Sequence, residues 1–191
     1  MSDSEHPDRT QIHGALVEVL GLGVLLLGHS GVGKSECALQ LVQRGHRLVA
    51  DDVVRIRAER GPPPKLVGRA PELIRHYMEI RGIGLVHILD LYGEDAVLVE
   101  SQLDLVCRLE AWREGVDYER VGLERPVEKI LGVPLPTLTL PLRPALSMAT
   151  IVEVAVSDDL QRRQGVNAAA RLDAAQRAEA RSARAAREEG A

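Results

Sequence analysis

The chain has 191 residues, a length most simply accounted for by one domain with a sizeable hydrophobic core. Its net charge of -4 gives no reason to expect a nucleic-acid partner, and an aromatic content of 2% argues against base-stacking platforms. Two cysteines are too few for a disulfide framework, and the apolar run of residues 19–28 is too short to cross a bilayer. The polar N-terminal segment lacks the apolar core of a signal peptide. We therefore expect a cytoplasmic location without a membrane span.

The first half of the chain predicts a flexible lead over residues 1–11, followed by four strands and one helix. The strands are short apolar or alternating runs, at residues 12–18, 24–27, 48–50 and 53–57. The helix is expected over residues 36–44 and ends at Gly45, because glycine readily takes the left-handed conformation found after helices. Cys37 on this helix is interpreted as a small buried side chain, with a reactive thiol as the alternative.

The second half predicts a short helix, further strands and a helical end. The helix is expected over residues 71–78. A glycine-punctuated turn or strand and three strands follow, at residues 82–86, 96–100, 103–109 and 149–156. The proline-bearing residues 133–144 are expected to be mostly loop. Ser157 is expected to cap a helix that ends at Gly165, and Asn167 to cap another. Residues 171–191 form an Ala/Arg/Glu-rich tail, helical or disordered, that can bury little apolar surface.

A glycine-rich motif carries the clearest chemical signal. It reads Gly28-His29-Ser30-Gly31-Val32-Gly33-Lys34-Ser35 and fits the P-loop pattern. The glycines let the backbone curl so that successive N–H groups point at phosphate oxygens. Lys34, one of only three lysines, places a charge on the outer phosphates, and the Ser35 hydroxyl can hold a magnesium ion. A strand before the motif and a helix after it aim the helix N-terminus at the phosphates, which predicts an α/β nucleotide-binding fold.

A pair of carboxylates follows within about twenty residues of the motif. Asp51 and Asp52 come at the end of the next predicted strand, and strand ends in open α/β sheets face the ligand crevice. Either carboxylate could hold magnesium or take a proton from an attacking hydroxyl, and a solvated acidic turn is the alternative. His13, Glu79 and Arg81 carry no such signal when each is taken singly.

Several separate segments, in order, resemble the catalytic domain of bacterial HPr kinase/phosphorylase. Besides the P-loop with Glu36, they are Ile12-His13-Gly14, Gly45-His46-Arg47-Leu48-Val49-Ala50-Asp51-Asp52, Met78-Glu79-Ile80-Arg81-Gly82-Ile83-Gly84, Tyr118-Glu119-Arg120-Val121-Gly122-Leu123, and Ile151-Val152-Glu153-Val154-Ala155 with Asn167-Ala168-Ala169. The resemblance covers residues 12–170 and implies a P-loop core similar to phosphoenolpyruvate carboxykinase, assembled as a homohexamer.

The resemblance also implies a reaction and a role for each site residue. Lys34 and the loop amides would hold ATP, and Ser35 and Glu79 would hold Mg2+. Asp52 would accept the proton when a serine of the carrier protein HPr attacks the γ-phosphate, and would return it when inorganic phosphate attacks phosphoserine to give pyrophosphate. His13 and Arg120 match the family's further active-site histidine and arginine. Contacts to phosphate are implied for Arg81 and Arg143.

Two departures from the family pattern qualify this expectation. The family's long form has a separate N-terminal domain, whereas this sequence starts almost at the catalytic strand, so a short form is expected. The family's Pro-x-Arg-Pro-Gly-Arg-Asn segment reads here Pro141-Leu142-Arg143-Pro144-Ala145-Leu146-Ser147. Loss of a cation where phosphate binds predicts a kinase with weakened phosphorylase activity. A kinase for another protein or small molecule, and a nucleotide-binding switch without transferase activity, are the alternatives.

Overall fold

The computed structural model describes residues 8–119, 122–142 and 147–189 of the chain. Twelve strands and four α-helices form in this part. The strands are β1 (Arg9–His13), β2 (Ala15–Val19), β3 (Leu22–Leu27), β4 (Arg47–Ala50), β5 (Val53–Glu59), β6 (Lys65–Arg69), β7 (Tyr77–Ile80), β8 (Gly84–His87), β9 (Glu100–Gln102), β10 (Leu105–Ala111), β11 (Val127–Ile130) and β12 (Val133–Leu142). The helices are α1 (Lys34–Gln43), α2 (Ile88–Tyr92), α3 (Met148–Arg163) and α4 (Ala168–Glu189).

Two sheets and a hairpin organise these strands. The larger sheet has the order β11-β12-β10-β3-β2-β4, and the smaller one has the order β1-β5-β6-β9. Strands β7 and β8 pair only with each other in the described part of the chain. In the larger sheet, β3 runs parallel to β10, whereas β2 runs antiparallel to both β3 and β4. The fold is therefore a mixed α/β fold, as the sequence predicts.

The larger sheet is the middle of three layers. Every residue of β3 is buried, as expected for a central strand covered on both faces. One face packs against α1 and α3 through a cluster that includes Leu26, Leu41 and Val152. The other face packs against the smaller sheet through a second cluster that includes Leu25 and Val54. The core is built from aliphatic side chains, so its stability rests on close packing of Leu, Val and Ile.

The predicted strand at residues 149–156 is wrong, because this segment belongs to helix α3. Its β-branched residues favour a strand locally, but the buried positions follow the helical repeat: Met148, Ala149, Val152, Ala155, Val156 and Asp159. Ser157 consequently lies inside α3 and donates a hydrogen bond to the Glu153 carbonyl (2.8 Å), so its predicted capping role is also wrong. The helix ends before Gly165, and Asn167 caps α4 through a bond from the Ala170 N–H (3.1 Å), as predicted.

The predicted loop over residues 133–144 is wrong as well. Ten of these residues form β12, of which residues 137–142 pair in parallel with β10. Pro134 and Pro136 lie in the half that pairs with β11 alone. Proline cannot donate a ladder hydrogen bond, so it is tolerated where one side of a strand is unpaired.

Three local expectations also differ from the structure. Residues 71–78 contain only a single 3-10 turn, Glu72–Ile74, before β7 begins. The strand predicted over residues 96–100 is not formed: residue 96 ends a 3-10 turn, Glu94–Ala96, and residue 100 begins β9. Strand β1 starts at Arg9 and so includes residues 9–11 of the predicted flexible lead. The predicted strand over residues 12–18 is split at Gly14, where an added Cβ would lie 2.6 Å from the Leu26 carbonyl oxygen.

Candidate active site

The site lies at one end of the strands of the larger sheet, where three chain segments turn. Strands β3 and β4 are both antiparallel to β2, so their C-terminal ends lie on the same side of the sheet. The P-loop follows β3, and Asp51 and Asp52 follow β4. Strand β2 starts on this side of the sheet. His13, at the end of β1 just before β2, therefore lies near the same strand ends. The topology thus brings together residues that are up to about forty positions apart in the sequence.

These residues line one cleft of about 470 Å³. Its lining residues are His13, Gly28, Ser30, Gly31, Gly33, Lys34, Ser35, Glu36, Asp51, Asp52, Glu79 and Arg81. Apart from Arg120 and Arg143, every residue that the sequence analysis proposes for catalysis or metal binding is in this set. His29 and Val32 of the predicted nucleotide loop are not among the lining residues.

Glycine is required in the P-loop for both conformation and space. Gly28, Gly31 and Gly33 have φ values of 146°, 78° and 98°, in a region that other residues seldom adopt. A Cβ on Gly28 would also lie 2.4 Å from the Leu109 carbonyl oxygen, on the neighbouring strand β10. The curl ends where α1 begins at Lys34, so the free N–H groups of the first helical turn face the cleft.

Lys34 holds the loop together through its ammonium group. The Nζ atom donates to the carbonyl oxygens of Gly28 (2.9 Å) and His29 (3.0 Å). An ammonium has three donors, so these contacts leave one for a phosphate oxygen without moving the loop. Lys34 also lines the cleft.

Ser35 and Asp51 form a hydrogen-bonded pair at the base of the cleft. The Ser35 hydroxyl donates to the Asp51 carboxylate at 2.9 Å. Asp51 is only 5% exposed, and this burial raises the pKa of its carboxyl to about 6, although hydrogen bonds from Ser35 and the Asp52 backbone act in the opposite direction. A buried carboxylate with no cation bonded to it is costly to fold, which is typical of a functional position.

Asp52 is oriented differently from its neighbour. Its side chain is 77% exposed, and its carboxylate lies 3.6 Å from Nδ1 of His13. The backbone at Asp52 has φ 65°, a left-handed conformation that aspartate tolerates better than most residues. The Asp52 carbonyl accepts a hydrogen bond from the Gly14 N–H at 3.0 Å, which ties this turn to the segment that carries His13. The fixed backbone directs the carboxylate into the cleft, where a reacting hydroxyl could approach.

The β7–β8 hairpin supplies the remaining charged groups. Glu79 lies in β7, and Arg81 lies in the turn that follows. A guanidinium nitrogen of Arg81 lies 3.7 Å from the position that a Cβ on Gly31 would take, so Arg81 reaches the P-loop itself. Gly31 and Arg81 are fifty positions apart in the sequence, so it is the fold of the hairpin that brings them together.

The charges of the cleft fit a phosphate ligand that carries a divalent cation. Four carboxylates line the cleft, against the permanent cations Lys34 and Arg81. Described residues nowhere gather three or more His, Cys, Asp or Glu side chains in a way that would hold a metal ion alone. Mg2+ is typically held by one or two protein oxygens together with substrate phosphates, and the Ser35–Asp51 pair offers such oxygens. The residues present therefore fit Mg2+ bound with a nucleotide.

Arg120 and Arg143 lie outside the described residues, as do Ala145 and Leu146 of the altered segment. Ser147, which ends that segment, is described. Its hydroxyl accepts a hydrogen bond from Arg44 (3.0 Å) and donates one to Gln40 (3.2 Å), both on or next to α1. The end of the altered segment is thus attached to the helix that begins at the P-loop.

Two features of the site are not evident from the sequence. Asp51 and Asp52 are equal alternatives in the sequence, whereas the structure bonds Asp51 to Ser35 and leaves Asp52 exposed. Glu36 has no predicted role, but it lines the cleft. The available signal was the position of Asp51 directly after a buried strand, which is where burial of the first acid of the pair would be expected.

The comparisons with known proteins agree on one family. The model of the "HPr Serine kinase C-terminal domain" matches residues 5–176. The chain is 51% identical over 172 residues to the HPr kinase/phosphorylase of Geobacillus thermodenitrificans, which covers 90% of this chain and 55% of that protein. It is 50% identical over 160 residues to the HPr kinase/phosphorylase of Bacillus subtilis, which covers 84% of this chain and 51% of that protein. The chain spans about half the length of the curated relatives it matches.

A solved structure supports the same relationship. The Hpr(Ser) kinase/phosphatase from Coxiella burnetii matches with a TM-score of 0.73 and 30% identity, covering 82% of this chain and 93% of that chain. Among the residues that the structure describes, no helix is both long and apolar enough to span a bilayer.

Proposed function

The chain belongs to the family of the HPr serine kinase C-terminal domain, and from this premise we propose that it transfers the γ-phosphoryl group of ATP to a serine of HPr. The observation that carries the proposal is the single cleft in which a P-loop, the Ser35–Asp51 pair and the exposed Asp52 carboxylate meet. A protein that only binds a nucleotide has no need of an accessible carboxylate beside the phosphates. The printed names of the relatives support the choice of HPr as acceptor.

The chain's own residues would share the work of phosphoryl transfer. The P-loop amides and Lys34 hold the phosphates, and Arg81 adds a second cation against the loop. Asp52 takes the proton of the serine hydroxyl as the oxygen forms its bond to the γ-phosphorus and the bond to the bridging oxygen of ADP breaks. His13, next to Asp52, would orient that carboxylate and balance its charge when protonated. In this proposal Arg120 supplies a further cation.

Ser35, Asp51 and Glu79 are the proposed ligands through which the cleft would hold Mg2+. The ion would neutralise charge on the outer phosphates when bound. Ser35 and Glu79 come from the family pattern, and the hydrogen bond between Ser35 and Asp51 adds the third oxygen donor.

The reverse chemistry is proposed as a weaker activity. Inorganic phosphate would attack the phosphorus of phosphoserine on HPr, pyrophosphate would form, and Asp52 would return its proton to the serine oxygen. The segment of residues 143–147 would serve this step, with Arg143 as a phosphate contact. Leu146 stands where the family pattern has arginine, so one cation for phosphate is absent from this position. A cytoplasmic homohexamer is the proposed setting for both reactions.

Labelled ATP tests this proposal and separates it from the alternatives. The chain is incubated with [γ-32P]ATP and Mg2+, with and without Bacillus subtilis HPr, and label on protein is measured. We expect label on the HPr serine, and loss of that label when Mg2+ is withheld or when Lys34 is replaced by Met. ATP turnover only with another acceptor would support the second kinase hypothesis. Tight ATP binding with no transfer to any acceptor would support the nucleotide-binding switch.

A further inference from the structure

A second concave surface lies outside the catalytic cleft, on the outer face of the smaller sheet. It has a volume of about 710 Å³ and is lined by Arg9, Thr10, Gln11, Arg55, Ile56, Arg57, Arg69 and Glu100. We call its four arginines, Arg9, Arg55, Arg57 and Arg69, the arginine face. They come from three different strands, β1, β5 and β6, so only the strand register brings them together.

The register places like charges directly opposite each other. Arg9 pairs with Arg57 across β1 and β5, and Arg55 pairs with Arg69 across β5 and β6. Like charges in directly opposite positions destabilise a sheet, and the solvent face of an antiparallel sheet has room for many other residue types. Two such pairs side by side therefore concentrate positive charge on this face at a cost to the sheet.

Acidic neighbours neutralise only part of this charge. Arg57 donates to Glu59 (2.9 Å) and to both oxygens of Glu100 (2.8 and 3.1 Å). Within the described part of the chain, neither a hydrogen bond nor an ion pair links the other three arginines of the face to a carboxylate. The charge of Arg69 nevertheless helps the hydrogen bonds from Arg57 to lower the pKa of the Glu100 carboxyl. Four guanidinium groups thus face two carboxylates, which leaves positive charge concentrated on one face of a chain whose net charge is -4.

The arginine face is continuous with the catalytic cleft. The outward side chains of β1 alternate along the strand as Arg9, Gln11 and His13. His13 lines the catalytic cleft beside Asp52, whereas Arg9 and Gln11 line the second surface. Four residues of a strand span about 13 Å. This distance is shorter than the radius of a typical protein interface, so one bound protein can contact both the arginine face and Asp52.

We propose that the arginine face is a docking surface for an acidic segment of the protein acceptor. This inference rests on the proposed kinase function, because a protein that presents a serine to Asp52 must also cover the surface beside the cleft. Guanidinium groups bind carboxylates in a bidentate manner and remain charged at every physiological pH, which suits them to hold acidic side chains. At the rim of an interface, such charges raise the rate of encounter and the specificity more than they raise the strength of the final complex.

Charge reversal at Arg55 tests the docking proposal. The substitution Arg55→Glu is compared with Arg55→Lys, which keeps the charge, and with Lys129→Glu. Lys129 is an exposed strand residue at the far edge of the larger sheet and supplies the same charge change elsewhere. Initial rates of transfer to Bacillus subtilis HPr are measured at several HPr concentrations and ionic strengths, together with KM for ATP and the melting temperature of each variant.

We expect Arg55→Glu to lower kcat/KM for HPr roughly tenfold at low salt, with kcat at saturating HPr and KM for ATP unchanged. Lys129→Glu should stay close to the unsubstituted chain. Arg55→Lys keeps the charge but loses the bidentate geometry, so its loss should be smaller than that of Arg55→Glu. The loss should disappear as ionic strength rises from 0.01 M to 1 M, because the screening length falls from about 30 Å to about 3 Å.

Equal effects of Arg55→Glu and Lys129→Glu, or a loss of kcat at unchanged KM for HPr, would overturn the docking proposal while leaving the kinase function intact. A chain that transfers no phosphate to HPr under any condition would instead refute the proposed function, and the docking proposal with it.

Discussion

Replacing Asp51 with asparagine should make the ligand-free chain more stable near neutral pH, even though it removes a residue of the proposed active site. Burial raises the pKa of the Asp51 carboxyl from its ordinary 3.8 to about 6. This difference corresponds to about 3 kcal/mol of folding free energy that the charged carboxylate costs. Asparagine avoids this cost but has one oxygen, so it loses one accepted hydrogen bond, worth about 1 kcal/mol. The expected net gain is about 2 kcal/mol, or roughly 4–8 °C in melting temperature.

The gain should depend on pH in a defined direction. Below the ordinary pKa of 3.8 the carboxyl is protonated in both the folded and the unfolded chain, so it costs nothing. Between 3.8 and about 6 the folded chain holds a proton that the unfolded chain releases, so stability falls as pH rises. Above about 6 the full cost is present. Urea unfolding of both proteins from pH 4.5 to 8 should therefore show an advantage for Asp51→Asn that grows with pH.

Asp159→Asn is the matched control, because Asp159 is another buried carboxylate but has cationic partners. Its carboxylate accepts hydrogen bonds from Arg125 (2.5 Å) and Arg163 (2.7 Å). Removing the charge leaves Arg125 partly uncompensated, so this variant should lose about 1–3 kcal/mol at pH 7.5. If Asp51→Asn is no more stable than the unsubstituted chain at pH 7.5, or if the difference between them does not change with pH, burial of the Asp51 charge does not cost the fold stability.

Two further predictions concern the core. Gly23→Ala should destabilise the fold by about 3 kcal/mol or more in urea unfolding, because the new Cβ would lie 1.8 Å from the Gln102 backbone oxygen. An unchanged urea midpoint would contradict the close approach of β3 and β9. Burial raises the pKa of Cys37 and Cys107 to about 12 each, so iodoacetamide at pH 8 should leave both unmodified in the native protein and alkylate both in urea, as read by mass spectrometry. Rapid alkylation of the native chain would favour the reactive-thiol interpretation of Cys37.

The sequence predicts the elements that local pattern alone determines. The P-loop, the strand before it and the helix after it follow from glycine spacing and apolar runs, and the structure has all three in place. Helix α3 could not be predicted in this way. Its run of Ile and Val favours a strand, but its tertiary position buries residues that lie three or four positions apart and leaves Val154 60% exposed.

The candidate site likewise has features that the sequence predicts and features that only the fold determines. The motif and the position after the next strand predict that Ser35 and an acid are functional, because a serine hydroxyl and a carboxylate can both hold magnesium. Which of the two acids bonds Ser35 depends on how the turn after β4 is oriented, and this turn contains the left-handed backbone at Asp52. The arginine face depends on register between strands that are distant in sequence, and no local pattern contains that information.

The most direct test of the account is the single-turnover rate of phosphoryl transfer by Asp52→Asn. With saturating ATP, Mg2+ and HPr, we predict a loss of at least about a hundredfold in rate, the size expected for removal of a general base. The Kd for ATP should change less than threefold, because the P-loop and the Ser35–Asp51 pair are left intact. Transfer at an undiminished rate by this variant would contradict the assignment of Asp52 as the proton acceptor, and with it the central claim about this cleft.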